Sequence, residues 1–387
     1  MNMKSHSGGR TILIVGSGLS GATIANLCAA KGARVIILEK RGHIAGNVYD
    51  EIDKETGIRI SKYGAHLFHT NDEEVWNFVQ RFGTWQRWDH TVVADLSGTY
   101  VPIPVNCTTV NTMFGTSIQT EEEMKIWLKS QQIPTTEPKN SEEVALSRVG
   151  PILYETLFRP YTIKQWAKEP RELEPSVLER IPIRSNFDCR YFSDKFQALP
   201  KEGYTKIIES MLDNPNISVR LNYSWEKFLE NSADFEGFEK PDEIIFTGPI
   251  DSYFKNSGLP PLEYRSIDFS WERLALKGYF QPNSVVNYPS AENPFTRCVE
   301  YKHFLHQKSD WTILSKETTC DNGEPYYPVP TQQNRDLFAK YASLAKKEEK
   351  IHFVGRLANY KYYNMDQAIR ASLDYFQEHL AKKLTIE

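Results

Sequence analysis

Residues 11–49 read TILIVGSGLSGATIANLCAAKGARVIILEKRGHIAGNVY, and the order of residue types in them decides the fold. An apolar β-type run over 12–15 leads into a tight glycine set, Gly16, Gly18 and Gly21. A helical pattern follows from 19 to about 31, then a second apolar run over 35–38 that ends on Glu39. Strand, G-x-G-x-x-G, helix, strand, acid is the pattern of a βαβ unit that binds the ADP part of a dinucleotide. Gly16 permits the sharp turn, Gly18 lets the backbone approach a pyrophosphate, and Gly21 lets the helix pack close to the strand. The free amides at the helix N-terminus then face the anion. Glu39 can accept hydrogen bonds from a ribose hydroxyl. An ordinary βαβ unit with a glycine-rich turn needs no acid at that distance.

The chain has 387 residues, which is room for two or three domains. At 40% hydrophobic and 25% charged it has the balance of a soluble globular protein. A net charge of −4 argues against a nucleic-acid partner. Aromatic residues make up 12%, which suits a site for rings or sugars as well as a large core. The five cysteines (28, 107, 189, 298, 320) are odd in number and form no CxxC. Free thiols in a reducing cytoplasm are expected. The first ten residues, MNMKSHSGGR, read as a polar tail without an apolar leader. The longest apolar runs are strand-sized, so no membrane span is expected.

Beyond Glu39, residues 51–60 read as a polar hairpin around Gly57, and 72–82 as an amphipathic helix. Residues 62–71, KYGAHLFHTN, put His66 and His69 three apart with no third ligand nearby, so no metal site is expected. Residues 91–105 read as a hairpin whose Pro102 and Pro104 fit an edge strand. From 108 to 179 helical patterns dominate, at 121–131, 141–149 and 151–158, with Arg159-Pro160 as punctuation. Residues 181–199 read as extended. A helix is expected from 205 to 212, strands at 217–221 and 243–248, and alternating antiparallel strands within 262–313. A buried strand at 351–355 and a helix over 365–383 close the chain. The fold class is therefore α/β. It comprises a discontinuous Rossmann-like FAD-binding domain (11–90, 200–255, 325–387), an inserted helical domain (107–180) and an antiparallel sheet domain (91–106, 181–199, 256–324). A chain that returns at its end to the nucleotide suits a cofactor longer than NAD, such as FAD.

The ordered set GSGLSG, EKRGHIAGN, KYGAHLFHTN, YTIKQW, ERIPIR, YFSDKFQALPKEGYTK, TGPID, LEYRS, EPYYPV and GRLANYKYYNMDQAI resembles the bacterial-type UDP-galactopyranose mutase family over nearly the whole chain. The resemblance implies a flavoenzyme, active with reduced FAD, that interconverts UDP-galactopyranose and UDP-galactofuranose without net redox change. The ring contraction would pass through a covalent bond between flavin N5 and the sugar. It also implies a homodimer. Gly16, Gly18, Gly21, Glu39, Lys40, Gly46, Asn47, Gly64, His66, Arg356 and Met365 would hold the cofactor. Phe158 and Tyr161 would contact uridine, and Trp166, on a mobile loop, would close over the sugar. Arg180, on the same loop, and Arg297 would clamp the diphosphate, with Tyr191 and Tyr327 hydrogen-bonded to it. Tyr362 and Arg356 would sit between flavin and substrate. His66, Arg180, Arg297, Tyr327 and Tyr362 form the implied catalytic set.

Three positions depart from the family pattern: Ala45 and Ala167 stand where glycine is usual, and Asn364 where an acid is usual. Small size should make Ala45 tolerable, Ala167 should stiffen the loop, and Asn364 should alter affinity without abolishing turnover. The rival readings are a flavin oxidoreductase of the amine-oxidase or desaturase type, a non-enzymatic dinucleotide sensor, and a mutase for UDP-N-acetylgalactosamine.

Overall fold

The computed structural model describes residues 9–230 and 241–384. The expected tail over the first ten residues lies, apart from 9 and 10, outside the described residues. The chain opens with β1 (Thr11–Val15), α1 (Leu19–Ala30) and β2 (Arg34–Leu38). The small strands β3 (Asp50–Ile52), β4 (Arg59–Ser61) and β5 (Phe68–Thr70) follow, then α2 (Glu73–Gln80), β6 (Trp85–Arg87), β7 (Val92–Leu96) and β8 (Thr99–Ile103). The helical insertion holds α3 (Cys107–Phe114), α4 (Glu121–Gln131), α5 (Ser141–Leu153), α6 (Arg159–Trp166) and α7 (Ser176–Glu179). Next come β9 (Phe196–Pro200), α8 (Tyr204–Leu212), β10 (Ile217–Arg220), α9 (Trp225–Glu230), β11 (Glu243–Phe246) and α10 (Ile250–Tyr253). The long β12 (Tyr264–Leu274) precedes β13 (Val285–Asn287), β14 (Arg297–Glu300), β15 (Thr312–Cys320) and β16 (Tyr327–Pro328). The chain ends with α11 (Gln332–Ala345), β17 (Ile351–Phe353), α12 (Met365–Tyr375) and a last turn, α13 (Ala381–Leu384).

The five-stranded sheet β10-β2-β1-β11-β17 is parallel throughout. All of β1 and most of β2 are buried, because helices cover both faces and a parallel strand must then be apolar on both. Helix α1 buries Ala25 and Ala29 against that sheet, and these small side chains let its axis lie close to β1. Helix α12 also buries one face, Ile369 and Leu373, in the same layer of the protein.

The second sheet has seven strands in the order β16-β12-β15-β14-β13-β7-β8. It was expected to be antiparallel. All its pairs are, except β7 with β13, which run parallel. These two strands lie some 190 residues apart in sequence (Val92 pairs with Val285), so no hairpin dictates their direction. The proline-bearing β8 is an edge strand, as Pro102 within it requires, and Pro104 falls just past its end. Strand β12 runs on to Leu274 because β15 pairs with it from Ser266 to its end. Strand β17 is not buried: it forms the sheet edge and is half-exposed at all three positions. Strand β9 pairs with β5 and β6 in a separate small sheet.

Capping sets the helical insertion. Asn106, Thr120 and Asn140 each accept a backbone N–H at the starts of α3, α4 and α5, and Glu123 completes a capping box. The expected break at Arg159-Pro160 is absent. Pro160 lies in the first turn of α6, where its missing N–H costs no helical bond. The break falls earlier, at Gly150 (φ +77°), where a Cβ would meet the Gln131 carbonyl oxygen at 2.2 Å. A wide turn over Tyr154–Phe158 then carries the chain into α6.

Candidate functional site

One cavity of about 1180 Å³ runs between the parallel sheet and the seven-stranded sheet. That is larger than the ~300–1,000 Å³ of a pocket for one small ligand. At one end lies the glycine turn. Gly16 adopts φ +102°, and a Cβ there would meet Thr247 Oγ1 at 2.3 Å. Gly18 precedes α1 without any side-chain cap, which leaves the first helical amides open to an anion. Gly46 (φ +52°) brings its backbone so near Gly18 that a Cβ would lie 2.9 Å from the Gly18 Cα. Gly21 does not line the cavity. It packs α1 on β1, where a Cβ would lie 2.0 Å from the Gly16 carbonyl oxygen. Glu39 is 4% exposed. It accepts hydrogen bonds from Ser17 N (3.0 Å), Ser17 Oγ (2.7 Å) and Arg41 N (2.9 Å). Asn47 Oδ1 accepts from Arg41 Nη2 at 3.0 Å, and Lys40 pairs with Glu324 at 2.5 Å. Buried Arg41 Nη1 has no protein partner. An uncapped helix start, two backbones in contact and a spare guanidinium donor fit an elongated, doubly anionic group such as a dinucleotide pyrophosphate.

At the other end the cavity meets a smaller one of about 110 Å³. Tyr161, Arg180, Tyr191, Arg297, Tyr327 and Tyr362 line both, and Phe158 and Trp166 line the smaller. These residues come from the wide turn before α6, α6 itself, the loop after α7, β14, β16 and the loop before α12, so the fold brings them together from six places. Trp166 was expected on a loop. It closes the last turn of α6 and is 4% exposed. Its ring meets Tyr362 at 5.8 Å and Tyr327 at 6.3 Å. Arg356 lies over the Tyr327 and Tyr362 rings, each at 4.9 Å, and Arg180 over Tyr362 at 4.4 Å. Burial pushes the Tyr327 hydroxyl up. The same burial acts on Tyr362, but the charges of Arg180, Arg356 and Arg297 outweigh it and bring that hydroxyl below its ordinary value.

His66 sits between the two ends. Burial, then repulsion from Arg356 and Arg297, lowers its pKa to about 4, so its ring is neutral near pH 7. Its Nδ1 lies 2.8 Å from the Gly64 carbonyl oxygen, which can only accept. Nδ1 therefore carries the proton and Nε2 keeps a lone pair. His90 was not singled out from the sequence, yet it lines the same cavity at 4% exposure. Burial first, then Arg297 and His69, lowers its pKa to about 3, and its Nδ1 has no protein partner. The one signal for it was a lone histidine leading an apolar strand. Glu317, also unanticipated, holds Arg297, and no local pattern marks it.

Ala45 and Ala167 both adopt left-handed backbone angles (φ 75° and 52°). The family's usual glycines are thus explained by conformation, and the size argument for Ala45 misses that cost. Asn364 is the N-cap of α12, and its N–H donates to Gln367 Oε1 at 2.9 Å.

The fold and this cradle define a Rossmann-type nucleotide-binding protein with a second compartment lined by arginine and tyrosine. A family model described as an NAD(P)-binding Rossmann-like domain matches residues 14–82, and one described as UDP-galactopyranose mutase matches residues 156–362. The dTDP-fucopyranose mutase of Escherichia coli is 38% identical, covering 95% of this chain and 98% of its own. A probable UDP-galactopyranose mutase of Klebsiella pneumoniae is 38% identical (96% and 95%), and the UDP-galactopyranose mutase of Mycoplasma genitalium 35% identical (96% and 95%). The chain belongs to the UDP-galactopyranose mutase family, and it is an isomerase. A crystal structure of reduced UDP-galactopyranose mutase shares the fold, with a TM-score of 0.72 at 14% identity over 96% of this chain and 94% of that one. A putative protoporphyrinogen oxidase from Exiguobacterium sp. 255-15 shares it at a TM-score of 0.65, with 14% identity over 97% and 99%. Among the described residues no helix is long and apolar enough to cross a membrane.

Proposed function

We propose that the protein is a FAD-dependent mutase that interconverts UDP-galactopyranose and UDP-galactofuranose. The observation that carries this reading is the convergence of Arg180, Arg297 and Arg356 with Tyr161, Tyr327 and Tyr362 on one wall, next to a cradle suited to a dinucleotide. Gly16, Gly18, Gly46, Asn47 and Glu39 would hold the ADP part, with Lys40 at the rim. Gly64, His66, Arg356 and Met365 would border the ring system. Bound and reduced, the flavin would supply an electron-rich nitrogen for attack at the anomeric carbon.

The protein's own part is positioning and charge. Arg180 and Arg297 are permanent cations that would grip the diphosphate and stabilise the negative charge gathering on the departing UDP. Tyr191 and Tyr327 would add hydroxyl donors to it. Phe158 and Tyr161 would stack against the base, and Trp166 would hold the sugar in place. Tyr362, its hydroxyl acidified by three guanidinium groups, would donate toward the sugar. Neutral His66 would offer Nε2 as an acceptor beside the cofactor ring.

The domain division stated above, a cytoplasmic setting and a homodimer belong to the same reading. Five free cysteines suit a reducing compartment. Ile126, Ile133 and Ile152 expose apolar surface on the helical insertion, which a second copy could cover. A second substrate is favoured by one finding: the dTDP-fucopyranose mutase matches this chain at the same 38% identity as the probable UDP-galactopyranose mutase.

The test is chromatographic conversion of UDP-galactofuranose with and without dithionite, without NAD(P)H, run beside dTDP-fucofuranose and the N-acetylated sugar. Conversion to UDP-galactopyranose only under reduction supports the proposal. No conversion by protein that holds reduced flavin removes it. Turnover of only one of the other sugars moves the assignment to that sugar, and net substrate oxidation moves it to an oxidoreductase.

A further inference from the structure

Lys164 is the third residue from the end of α6 to meet the seven-stranded sheet, and its ammonium enters a ring of main-chain carbonyls. Nζ donates to the carbonyl oxygens of Ser290 (2.9 Å), Asn293 (3.1 Å) and Phe295 (3.0 Å), and also to that of Tyr288. Three N–H bonds are thus shared among four acceptors, all from the connection between β13 and β14. Among the described residues no carboxylate pairs with this ammonium. Carbonyl dipoles alone balance the charge, and burial lowers its pKa to about 8.

Each end of this link adjoins a residue of the second compartment. Trp166 follows Lys164 by two positions on the same helical turn. Arg297 follows directly on the caged loop, as the first residue of β14. Other bonds fix the frame: Thr319 Oγ1 donates to the Lys164 carbonyl, and Arg265 Nε to the Gln165 carbonyl at 3.1 Å. Neither reaches the 288–295 loop. Only Lys164 joins that loop to the helix through its side chain among these contacts.

We propose that Lys164 is a positioning residue that sets Trp166 and Arg297 at a fixed separation by drawing the 288–295 loop onto α6. The proposal rests on the functional reading above, in which those two residues hold the sugar and the diphosphate. Lysine suits the task because a compact ammonium directs several bonds from one atom. Arginine spreads its donors over a plane and cannot place one nitrogen among four carbonyls.

Lys302 provides a control, because its Nζ donates to the carbonyls of Leu276 (2.9 Å), Lys277 (2.7 Å) and Gly278 (3.1 Å) and it does not line either cavity. The experiment compares full-length, flavin-loaded wild type, Lys164→Met, Lys164→Arg and Lys302→Met. It measures melting temperature, steady-state constants and UDP affinity by tryptophan fluorescence. We expect Lys164→Met to lose about ten- to a hundredfold in kcat and to bind UDP about tenfold more weakly. Lys164→Arg should show smaller losses of both kinds. Lys302→Met should lower the melting temperature and leave both constants within about twofold.

Wild-type constants in Lys164→Met overturn the proposal, as do losses matched by Lys302→Met at an equal drop in melting temperature. If Lys164→Met does not fold, Lys164→Arg decides, and unchanged constants there overturn it. A wild type that binds no UDP brings down the functional reading and this proposal with it. A wild type that binds UDP while the Lys164 variants bind it equally well brings down this proposal alone.

Discussion

Arg297 and Glu317 face each other in register across β14 and β15, and Arg297 Nε donates to Glu317 Oε2 at 2.6 Å. Glu317 is 1% exposed, and its second oxygen, Oε1, has no protein partner. Burial alone would discourage charge on Arg297, but the carboxylate holds it firmly protonated. The pair fixes the direction of a guanidinium whose other face is open to the cavity. Glu317→Gln should therefore fold and lose kcat/KM by up to about a hundredfold through misplacement of Arg297. Glu317→Leu should cost about 1–3 kcal/mol in urea unfolding, because it leaves a half-buried guanidinium without its carboxylate. A cost under about 1 kcal/mol would mean that water replaces the carboxylate.

The glycine cradle gives a spectroscopic test. A methyl at Gly46 would crowd Gly18 and force a residue with a Cβ to φ +52°, while one at Gly21 would strike the Gly16 carbonyl. We expect Gly46→Ala to purify folded with a sharply reduced flavin absorbance per chain. Gly21→Ala should lose stability by about 1–3 kcal/mol as well, because α1 cannot approach β1. Full flavin content in both variants would place the cofactor elsewhere.

Three histidines make stability depend on pH: His66 and His90, which line the cavity, and His352, whose pKa burial also lowers. His66 and His90 have folded pKa values lowered to about 4 and about 3 from an unfolded value near 6.5. The unfolded chain thus takes up protons first as pH falls, and the folded state loses ground by about 1.4 kcal/mol per pH unit per site. The loss begins near pH 6.5 and continues down to the folded values. Between pH 6.5 and 5 most carboxylates are still ionised, so the histidines dominate this window. Urea unfolding at these two pH values should show the loss, and His90→Gln should reduce it by about a third to a half, since His66 and His352 keep their share. A slope unchanged in His90→Gln would show that His90 is not the source.

Asn364 faces the cavity from the N-cap of α12. Asparagine and aspartate cap equally well, so Asn364→Asp should leave stability within about 0.5 kcal/mol. On the proposed reading, the added negative charge would stand in a cavity that takes a diphosphate. We expect KM to rise about three- to tenfold with turnover retained. If both kinetic constants stay at wild-type values, the residue has no electrostatic role.

Ala167 ends α6 in the left-handed region, directly after Trp166. Glycine removes a strain of about 1–2 kcal/mol but gives the unfolded chain about 0.4–1 kcal/mol of entropy. Ala167→Gly should therefore be slightly more stable, by about 0.5 kcal/mol, and measurably different in kcat. A clear fall in melting temperature would contradict this account.

The sequence by itself determined whatever depends on neighbours along the chain. Residues 11–49 spelled out a βαβ unit because strand period, helix period and glycine conformation are local properties. The same holds for the helices at 121–131 and 141–149, for the edge strand marked by Pro102 and Pro104, and for the family, whose motifs stand in order. Tertiary structure alone decided what depends on distant segments meeting. The parallel pairing of β7 with β13, the half-exposed edge position of β17 and the helical seat of Trp166 follow from packing, not from any local pattern. So do the grip of Glu317 on Arg297, the burial of His90 and the carbonyl ring around Lys164, whose partners lie more than 120 residues away. Their physical reason is common to all three: what surrounds a polar group removed from water is set by segments distant in sequence, whether they supply a partner, as for Arg297 and Lys164, or leave a nitrogen without one, as for His90, and a one-dimensional pattern does not say which.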